Sequence, residues 1–177
     1  MRFIPRLLLV VFLAAVTLAA QEQREVTSKA EERIQREVRH QLVMLPRLSV
    51  FDNLAYKVDG YNVTLLGQVS EPITKSDAEN AVKRIEGVER VDNQIEVLPL
   101  SPMDDRLRLR LYRAIYGYPT LQKYALPVIK PIRIIVKGGH VTLEGVVDNE
   151  GDKKVAGILA HGVSGSFSVT NNLVVAK

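Results

Sequence analysis

The side chains that could catalyse a reaction or bind a metal are few and widely separated in this sequence. The three histidines are His40, His140 and His161, and no two of them stand four residues apart, the spacing that brings two ligands together on one helix face. The chain has no cysteine, which excludes disulfides, thiolate zinc sites, iron–sulfur clusters and a cysteine nucleophile. It also contains no glycine-rich phosphate loop and no G-x-S-x-G nucleophile motif. We therefore predict a protein that is not an enzyme and needs no metal or cofactor.

An acidic cluster at residues 148–152 is the densest group of oxygen ligands in the chain. Calcium prefers such ligands, but the twelve-residue loop that ends in a glutamate is missing here. Asp and Asn side chains also cap helix N-termini, where acidic groups interact favourably with the helix dipole. We interpret the cluster as the start of a helix and keep calcium binding as the alternative.

The residues best suited to binding lie on a helix predicted to begin at Ser101-Pro102. On a helical wheel its core residues fall on one side, and an apolar and aromatic strip bordered by arginines falls on the other. The strip consists of Leu109, Tyr112 and Tyr116, and the arginines are Arg106, Arg110 and Arg113. Such a strip suits a membrane surface, because the rings would lie at headgroup level and the guanidinium groups on phosphates. The alternatives are that the strip packs on the following loop or on the first half of the chain, or that it docks an envelope protein or a second copy.

Positive charge is concentrated in the second half of the chain. The formal net charge of the whole sequence is +4. Residues 27–99 hold 10 basic and 12 acidic residues, net −2, whereas residues 100–177 hold 11 basic and 6 acidic residues, net +5. Lys153 and Lys154, near the start of the last predicted helix, belong to this basic half. We predict that it meets an anionic phospholipid surface, and since no base-stacking motif is present we do not expect nucleic acid as a partner.

The sequence repeats itself at a constant offset of 78 residues. Residues 63–69 read VTLLGQV and residues 141–147 read VTLEGVV, while residues 91–97, VDNQIEV, return as VTNNLVV at 169–175. The match needs no gap from residue 54 to residue 97, so we interpret the chain as a duplicated unit.

Each copy has the pattern helix, two strands, helix, strand. We predict an α+β fold of two tandem small domains, residues 27–99 and 100–177, each with two helices packed on a three-stranded sheet. The helices are predicted to begin at Ser28, at Glu71-Pro72, at Ser101-Pro102 and within 148–152. The strands are predicted at Leu54–Val58, Asn62–Val69, Val91–Val97, Ile132–Val136, His140–Val147 and Val169–Val175.

The glycines and asparagines that recur in both copies are interpreted as residues that shape the fold. Gly67 and Gly145 are expected to allow a bulge or a close backbone approach, and Asn93 and Asn171 to satisfy backbone groups at a sheet edge. The full set is Gly60, Gly67, Gly87, Asn93, Gly138, Gly145, Gly165 and Asn171.

This order of motifs resembles the BON domain, a family named after a bacterial osmotically inducible periplasmic protein and nodulation-related proteins. The resemblance rests on a turn glycine, V-T-L-x-G-x-V, a helix, a glycine and V-x-N-x-[IL]-x-V, and it covers residues 28–98 and 101–177. The family pattern ends its second helix in Gly-Val. Gly87-Val88 fits this pattern; Gly165-Ser166 departs from it, although Phe167 and Val169 retain the apolar character of the segment.

The resemblance implies a non-enzymatic protein that binds phospholipid membranes and supports the cell envelope under osmotic or envelope stress. An adaptor that binds envelope proteins through the strip of Leu109, Tyr112 and Tyr116 is the alternative.

The first 20 residues are interpreted as an export signal. Arg2 and Arg6 precede an uncharged stretch, Leu7–Ala20, which is shorter than the roughly 20 apolar residues of a membrane span. Small residues at the end of this stretch would permit cleavage after Ala19 or Ala20, and an uncleaved anchor is the alternative. We therefore expect a periplasmic or secreted protein.

Overall fold

The structure of the protein is a computed structural model that describes residues 28–176. It contains two copies of the predicted α-β-β-α-β unit, here called the first and the second domain. The predicted signal segment, residues 1–20, lies outside the described residues.

The first domain begins with helix α1, whose described part spans residues 28–43. Two antiparallel strands follow, then helix α2, which has Pro72 at its first position, where the missing N–H costs no hydrogen bond. The remaining elements of this domain are β1 (Asn53–Asp59), β2 (Asn62–Val69), α2 (Pro72–Lys83), β3 (Arg90–Asn93) and β4 (Glu96–Val97).

The second domain repeats this order and adds one element. Ser101 caps its first helix by accepting a hydrogen bond from the Asp104 amide, and a 3-10 helix occupies the segment that the sequence suggested to be a loop. The elements are α3 (Pro102–Tyr116), the 3-10 helix (Pro119–Ala125), β5 (Ile132–Lys137), β6 (His140–Val147), α4 (Glu150–Gly162), β7 (Ser168–Asn171) and β8 (Val174–Val175).

In each sheet the second strand is central. β2 pairs antiparallel with β1 and parallel with β3 and β4, and β6 pairs in the same way with β5, β7 and β8. The predicted continuous third strand is wrong in detail, because it is interrupted in both copies between an asparagine and the next strand segment. Both segments still lie along one side of the central strand, so three strand positions build each sheet.

An asparagine that recurs in both copies, Asn93 and Asn171, lies at this interruption. The Asn93 side chain accepts a hydrogen bond from the Ile95 amide and donates one to the Lys75 carbonyl of α2, 3.1 Å away. Asn171 does the same with the Leu173 amide and the Lys153 carbonyl of α4. Each asparagine thus satisfies backbone groups, as predicted, and ties the strand break to the neighbouring helix.

Two of the recurring glycines stand where the backbones of neighbouring strands approach closely. Gly67 has φ of 109° and Gly145 has φ of 118°, and a Cβ atom on either would clash with the carbonyl of Asn53 or Pro131. Of the two arrangements expected here, a bulge or a close backbone approach, the structure has the close approach, which leaves no room for a side chain. Gly60 and Gly138 lie in the turns between the first two strands, and Gly87 and Gly165 follow the second helix of each copy.

The two domains have separate cores, and the loop before β1 contacts the second domain. Residues 49–52, just before β1, approach β5 of the second domain, where the Ile134 amide donates to the Val50 carbonyl at 2.9 Å. Arg133 donates to the Ser49 carbonyl at 2.8 Å, and Val50 and Phe51 pack against the second domain's core.

Candidate functional site

Helix α3 carries the residues that the sequence analysis singled out. Its core face is as predicted, with Leu107, Leu111 and Ile115 buried against the sheet of the second domain. The opposite face is divided between the interior and solvent, and this division decides which of the predicted residues can meet a partner.

The expectation of an exposed aromatic strip is wrong at Tyr116. Tyr116 is only 4% exposed, and its hydroxyl donates to the Ile132 carbonyl. Burial raises its pKa above the ordinary value for tyrosine. Tyr112 is half-buried against Phe51 of the first domain, as the alternative of packing on the first half of the chain predicts. Leu109 is the member of the strip that is exposed.

A groove of about 380 Å³ lies beside the N-terminal half of α3. One wall is α3 itself, the second is the β5–β6 turn, and the third is the segment that leads into β7. The groove is lined by Ser101, Met103, Asp104, Arg106, Leu107, Arg110, Gly138, Gly139, Gly165 and Phe167.

Asp104 fixes the floor of the groove. It is buried, and its two carboxylate oxygens accept hydrogen bonds from the amides of Gly138 and Gly139, each at 2.8 Å. Both oxygens and both amides are therefore engaged, so the β5–β6 turn is held at a fixed distance from α3. Sequence reasoning did not single out Asp104.

Two of the three predicted arginines stand at the groove. Arg106 and Arg110 line it, and the Arg110 guanidinium lies against Gly165. Among residues 28–176, none of the ion pairs includes either arginine. Arg113 is exposed on the same helix and does not line the groove.

The neighbouring Arg108 was not singled out from the sequence, and the structure buries it. Its guanidinium donates to the Val136 carbonyl and pairs with Asp105. Arg108 therefore stabilises the fold, and the exposed positive charge of α3 comes from Arg106, Arg110 and Arg113.

Apolar side chains beside these arginines are open to solvent. Met103 is 74% exposed and Phe167 is 76% exposed, and both line the groove. Leu100, just before α3, is also exposed. Sequence reasoning missed this group, because it took Phe167 as part of the apolar content of the third strand.

A difference between the two copies could have revealed the groove. The position of Gly139 is occupied by Tyr61 in the first domain, and that of Phe167 by Glu89. The two positions correspond in space as well, since the Glu89 amide donates to the Tyr61 carbonyl and the Phe167 amide to the Gly139 carbonyl, each at 2.9 Å. The Tyr61 side chain, which packs on the first core, therefore has no counterpart at Gly139, and the ring of Phe167 lies against that glycine instead.

The two predicted lysines lie on α4, away from the groove. Lys154 is exposed, whereas Lys153 is half-buried. Both contribute to the positive charge of the second domain without lining the groove.

The acidic cluster caps α4, as predicted. The Asn149 side chain accepts from the Asp152 amide at 2.8 Å. The Asp152 carboxylate also accepts a hydrogen bond from the Tyr124 hydroxyl at 2.6 Å and forms an ion pair with Lys123 at 2.7 Å. Lys123, whose pKa is raised chiefly by Asp148 and then by Asp152, thereby links the 3-10 helix to α4. In the described part of the chain no group of three or more potential metal ligands is brought together.

Fold and site together define a class of small tandem α+β domains, here with a groove beside α3 of the second domain. The family model of the BON domain matches residues 30–99 and 120–177, so the chain belongs to the BON domain family. Proteins with this domain are associated with the cell envelope or membranes and are in general not catalytic. Within residues 28–176, no helix combines the length and apolarity needed to cross a bilayer.

Two solved structures of CdsD, a structural protein of the type III secretion system of Chlamydia trachomatis, are similar to this chain at low level. Both are 14% identical with a TM-score of 0.29; the matches cover 82% and 80% of this chain and 94% and 96% of those chains. No curated protein matches the sequence significantly.

Proposed function

We propose that this protein is a non-enzymatic component of the cell envelope that binds anionic phospholipid surfaces and supports the envelope under osmotic stress. The observation that carries the proposal is the combination, at one place on the second domain, of exposed Met103 and Phe167 with Arg106 and Arg110. Apolar side chains beside guanidinium groups suit the boundary between headgroups and acyl chains.

The charge distribution also supports contact with the membrane through the second domain. The second domain carries net +5 from 11 basic and 6 acidic residues, while residues 27–99 carry net −2 from 10 basic and 12 acidic residues. An anionic surface therefore attracts the second domain and leaves the first facing away from it. Export through the N-terminal segment, with the periplasm or the exterior as destination, is part of the proposal.

Vesicle co-sedimentation tests the binding. The protein should bind vesicles with anionic lipid and lose this binding as salt rises or when the lipid is zwitterionic. Each arginine near an anionic membrane contributes about 1 kcal/mol, so the double variant Arg106→Glu/Arg110→Glu should bind about 30-fold more weakly or worse.

A matched control reverses the same charge on the first domain. Lys57 and Arg90 are exposed there, and Lys57→Glu/Arg90→Glu should leave vesicle binding nearly unchanged. Equal binding to neutral and anionic vesicles, or equal losses in the two double variants, would contradict the proposal.

The role in the envelope is tested in cells that lack the protein. Loss of the chain should reduce survival after an abrupt osmotic shift, and the wild-type chain should restore it. The double variant Arg106→Glu/Arg110→Glu should fail to restore survival although it accumulates normally. Restoration of survival by this variant would show that the role in the envelope does not depend on lipid binding through Arg106 and Arg110.

An adaptor function is the second candidate, and a different surface favours it. The predicted strip is largely covered, but Leu126 and Val128, in the segment after the 3-10 helix, are 84% and 98% exposed. Such side chains suit an envelope protein or a second copy of this chain. The double variant Leu126→Ser/Val128→Ser should then abolish crosslinking to the partner, or dimer formation measured by sedimentation, while vesicle binding is retained. If the wild-type protein is monomeric and forms no crosslinks, this candidate is excluded.

A further inference from the structure

The first strand of each domain, β1 or β5, lies at an edge of its sheet. A two-residue turn joins each of these strands to the central strand, and from this turn onward the hydrogen bonding alternates along the pair. Every second residue therefore directs its amide and carbonyl away from the central strand, toward the outer edge. In β1 these residues are Leu54, Tyr56 and Val58, and their counterparts in β5 are Ile132, Ile134 and Val136.

In the second domain the protein's own groups occupy most of this edge. The Tyr116 hydroxyl is hydrogen-bonded to both the amide and the carbonyl of Ile132. Arg108 donates to the Val136 carbonyl at 2.7 Å. Between them, the Ile134 amide donates to the loop before β1 at 2.9 Å. An additional strand therefore finds few free backbone groups along β5.

The edge of β1 has no such closure. When the arginines that contact equivalent glycines in the two copies are aligned, Glu31 takes the position of Arg108, and Arg39 takes the position of Tyr116. A carboxylate has no N–H to donate to a carbonyl, and the Arg39 side chain is exposed. Among residues 28–176, no group hydrogen-bonds to the outward amides and carbonyls of the three β1 residues.

A pocket of about 330 Å³ lies beside this free edge, between the end of α1 and the start of β1. Leu42, Leu48 and Leu54 contribute apolar walls, and Arg39 and Arg133 contribute positive charge. Within the described part of the chain, neither arginine belongs to an ion pair. A side chain that enters the pocket from an added strand thus meets apolar surface and two guanidinium groups.

These features fit an extended peptide with acidic side chains. Alternating free N–H and C=O groups bind an extended backbone, and the arginines favour an acidic side chain at the Leu54 end of the edge. A phospholipid headgroup would leave the row of amides and carbonyls unused. A second copy of the chain is less well suited, because stable dimers bury about 1,200–2,000 Å² and two paired strands of seven residues cover much less.

We infer that the free edge of β1 binds an extended acidic segment of another protein as an additional strand, with an acidic side chain in the pocket of Arg39 and Arg133. This site goes beyond the proposed function, because it lies on the first domain and needs no lipid. The second domain can therefore contact a membrane while the first domain holds a protein partner.

A synthetic peptide tests the inference. The probe acetyl-ETVTVTE-amide places glutamate and valine on one face and carries an acid at both ends, so it can pair in either direction. The full chain should bind it with one-to-one stoichiometry in calorimetry at peptide concentrations up to about 1 mM, and the lysine counterpart acetyl-KTVTVTK-amide at least about tenfold more weakly.

Hydrogen exchange identifies the edge that is used. In the free protein the amides of Leu54, Tyr56 and Val58 should exchange faster than those of Ala55 and Lys57, which are bonded to β2. The acidic peptide should slow exchange at the three edge amides and leave exchange in β5 unchanged. N-methylation of the peptide at one set of alternate residues should abolish binding, whereas N-methylation at the intervening residues should not, because only every second amide of an added strand faces β1.

A matched pair of variants tests the pocket. Arg39→Glu should weaken binding of the acidic peptide by about tenfold or more, since it reverses a charge that lines the pocket. Arg36→Glu makes the same change at an exposed position of the same helix outside the pocket, and it should alter binding by less than about twofold.

Three outcomes would overturn the inference: unchanged exchange at the three edge amides with the acidic peptide at about 1 mM, equal effects of the two N-methylation sets, or equal losses in Arg39→Glu and Arg36→Glu. Protection of the edge amides that rises with protein concentration in the absence of peptide, together with a dimer in sedimentation, would instead assign the edge to a second copy of this chain.

Discussion

The ring of Phe51, in the first domain, packs edge-on against the ring of Tyr112 in the second, with centroids 6.4 Å apart and planes at 70°. Tyr112 in turn lies 5.0 Å from Tyr116, whose hydroxyl reaches the carbonyl of Ile132. One loop of the first domain is thereby connected to the core of the second. The aromatic face that the sequence offers to an outside partner is largely used for contact between the protein's own domains.

Removing the Phe51 ring should destabilise the second domain. Phe51→Ala is expected to lower the free energy of unfolding by about 2 kcal/mol, because the ring is partly buried against Tyr112. Urea unfolding followed by circular dichroism measures this change. Phe167→Ala is the matched control; since that ring is largely exposed, its effect should stay within about 0.5 kcal/mol. Equal losses would contradict the interdomain contact.

Asp104 should be needed to hold the β5–β6 turn. Asp104→Ala leaves the amides of Gly138 and Gly139 without their acceptor, and we expect a loss of about 1–3 kcal/mol. Hydrogen exchange at these two amides should accelerate more than exchange elsewhere in the sheet. The control Asp59→Ala, an exposed residue at the corresponding turn of the first domain, should change neither quantity. Unaltered hydrogen exchange at both glycine amides in Asp104→Ala would contradict this role of Asp104.

Acid should destabilise the second domain through Asp152. The side chain of Lys123, followed by that of Tyr124, holds the pKa of Asp152 below its ordinary value. A carboxyl with a depressed native pKa stabilises the fold above its unfolded pKa, about 3.9, and this stabilisation is lost as the pH falls through the native pKa.

Asp152→Asn should therefore make the stability of the second domain less dependent on pH below about pH 5. Thermal unfolding measured from neutral to acidic pH gives this slope. Glu150→Gln, an exposed change in the same acidic cluster, should keep the wild-type slope. A wild-type slope in Asp152→Asn would show that another carboxyl is responsible.

The contact of Arg133 with Ser49 should restrain the two domains. Burial lowers the pKa of the Arg133 guanidinium, and its hydrogen bond to the Ser49 carbonyl crosses between the domains at 2.8 Å. Arg133→Met is expected to give the domains different rotational correlation times in ¹⁵N relaxation. The exposed ion pair of Lys137 and Glu96 also crosses, but Lys137→Met should cost at most about 0.5 kcal/mol and leave the domains coupled. A single shared correlation time in Arg133→Met would contradict this role.

Gly145 should tolerate no side chain. Gly145→Ala places a Cβ atom against the Pro131 carbonyl at a φ of 118°, so we expect a loss of about 3 kcal/mol or more. Gly162→Ala, at the end of α4 with open space around it, is expected to be neutral or stabilising by up to about 1 kcal/mol. Denaturant unfolding of the two variants checks the pair, and a neutral Gly145→Ala would contradict the close approach of β5 and β6.

Much of the architecture follows from local sequence. The offset of 78 residues, the alternation in residues 63–69 and 141–147 and the proline at the start of α3 together predict two α-β-β-α-β units. The roles of Gly67, Gly145, Asn93 and Asn171 were also predictable, because each reflects a backbone requirement that recurs at the same place in both copies.

The candidate site was predictable only in part. A helical wheel places Arg106 and Arg110 on an outer face of α3, and both line the groove. It cannot distinguish the solvent-exposed part of that face from the part that Phe51 covers, because Phe51 precedes Tyr112 by about 60 residues and belongs to the other domain. Tyr116 was accordingly assigned to the surface, although its ring is buried and its hydroxyl is bound.

By itself, then, the sequence determined the duplicated fold, the charge difference between the two halves and the positive face of α3. These properties depend on residue type and short-range spacing. Only the tertiary structure decided that Tyr112 and Tyr116 face the interior, that Asp104 clamps the β5–β6 turn, and that Met103 and Phe167 border one groove with Arg106 and Arg110. Each of these depends on which distant segments pack together, and local periodicity carries no information about that packing.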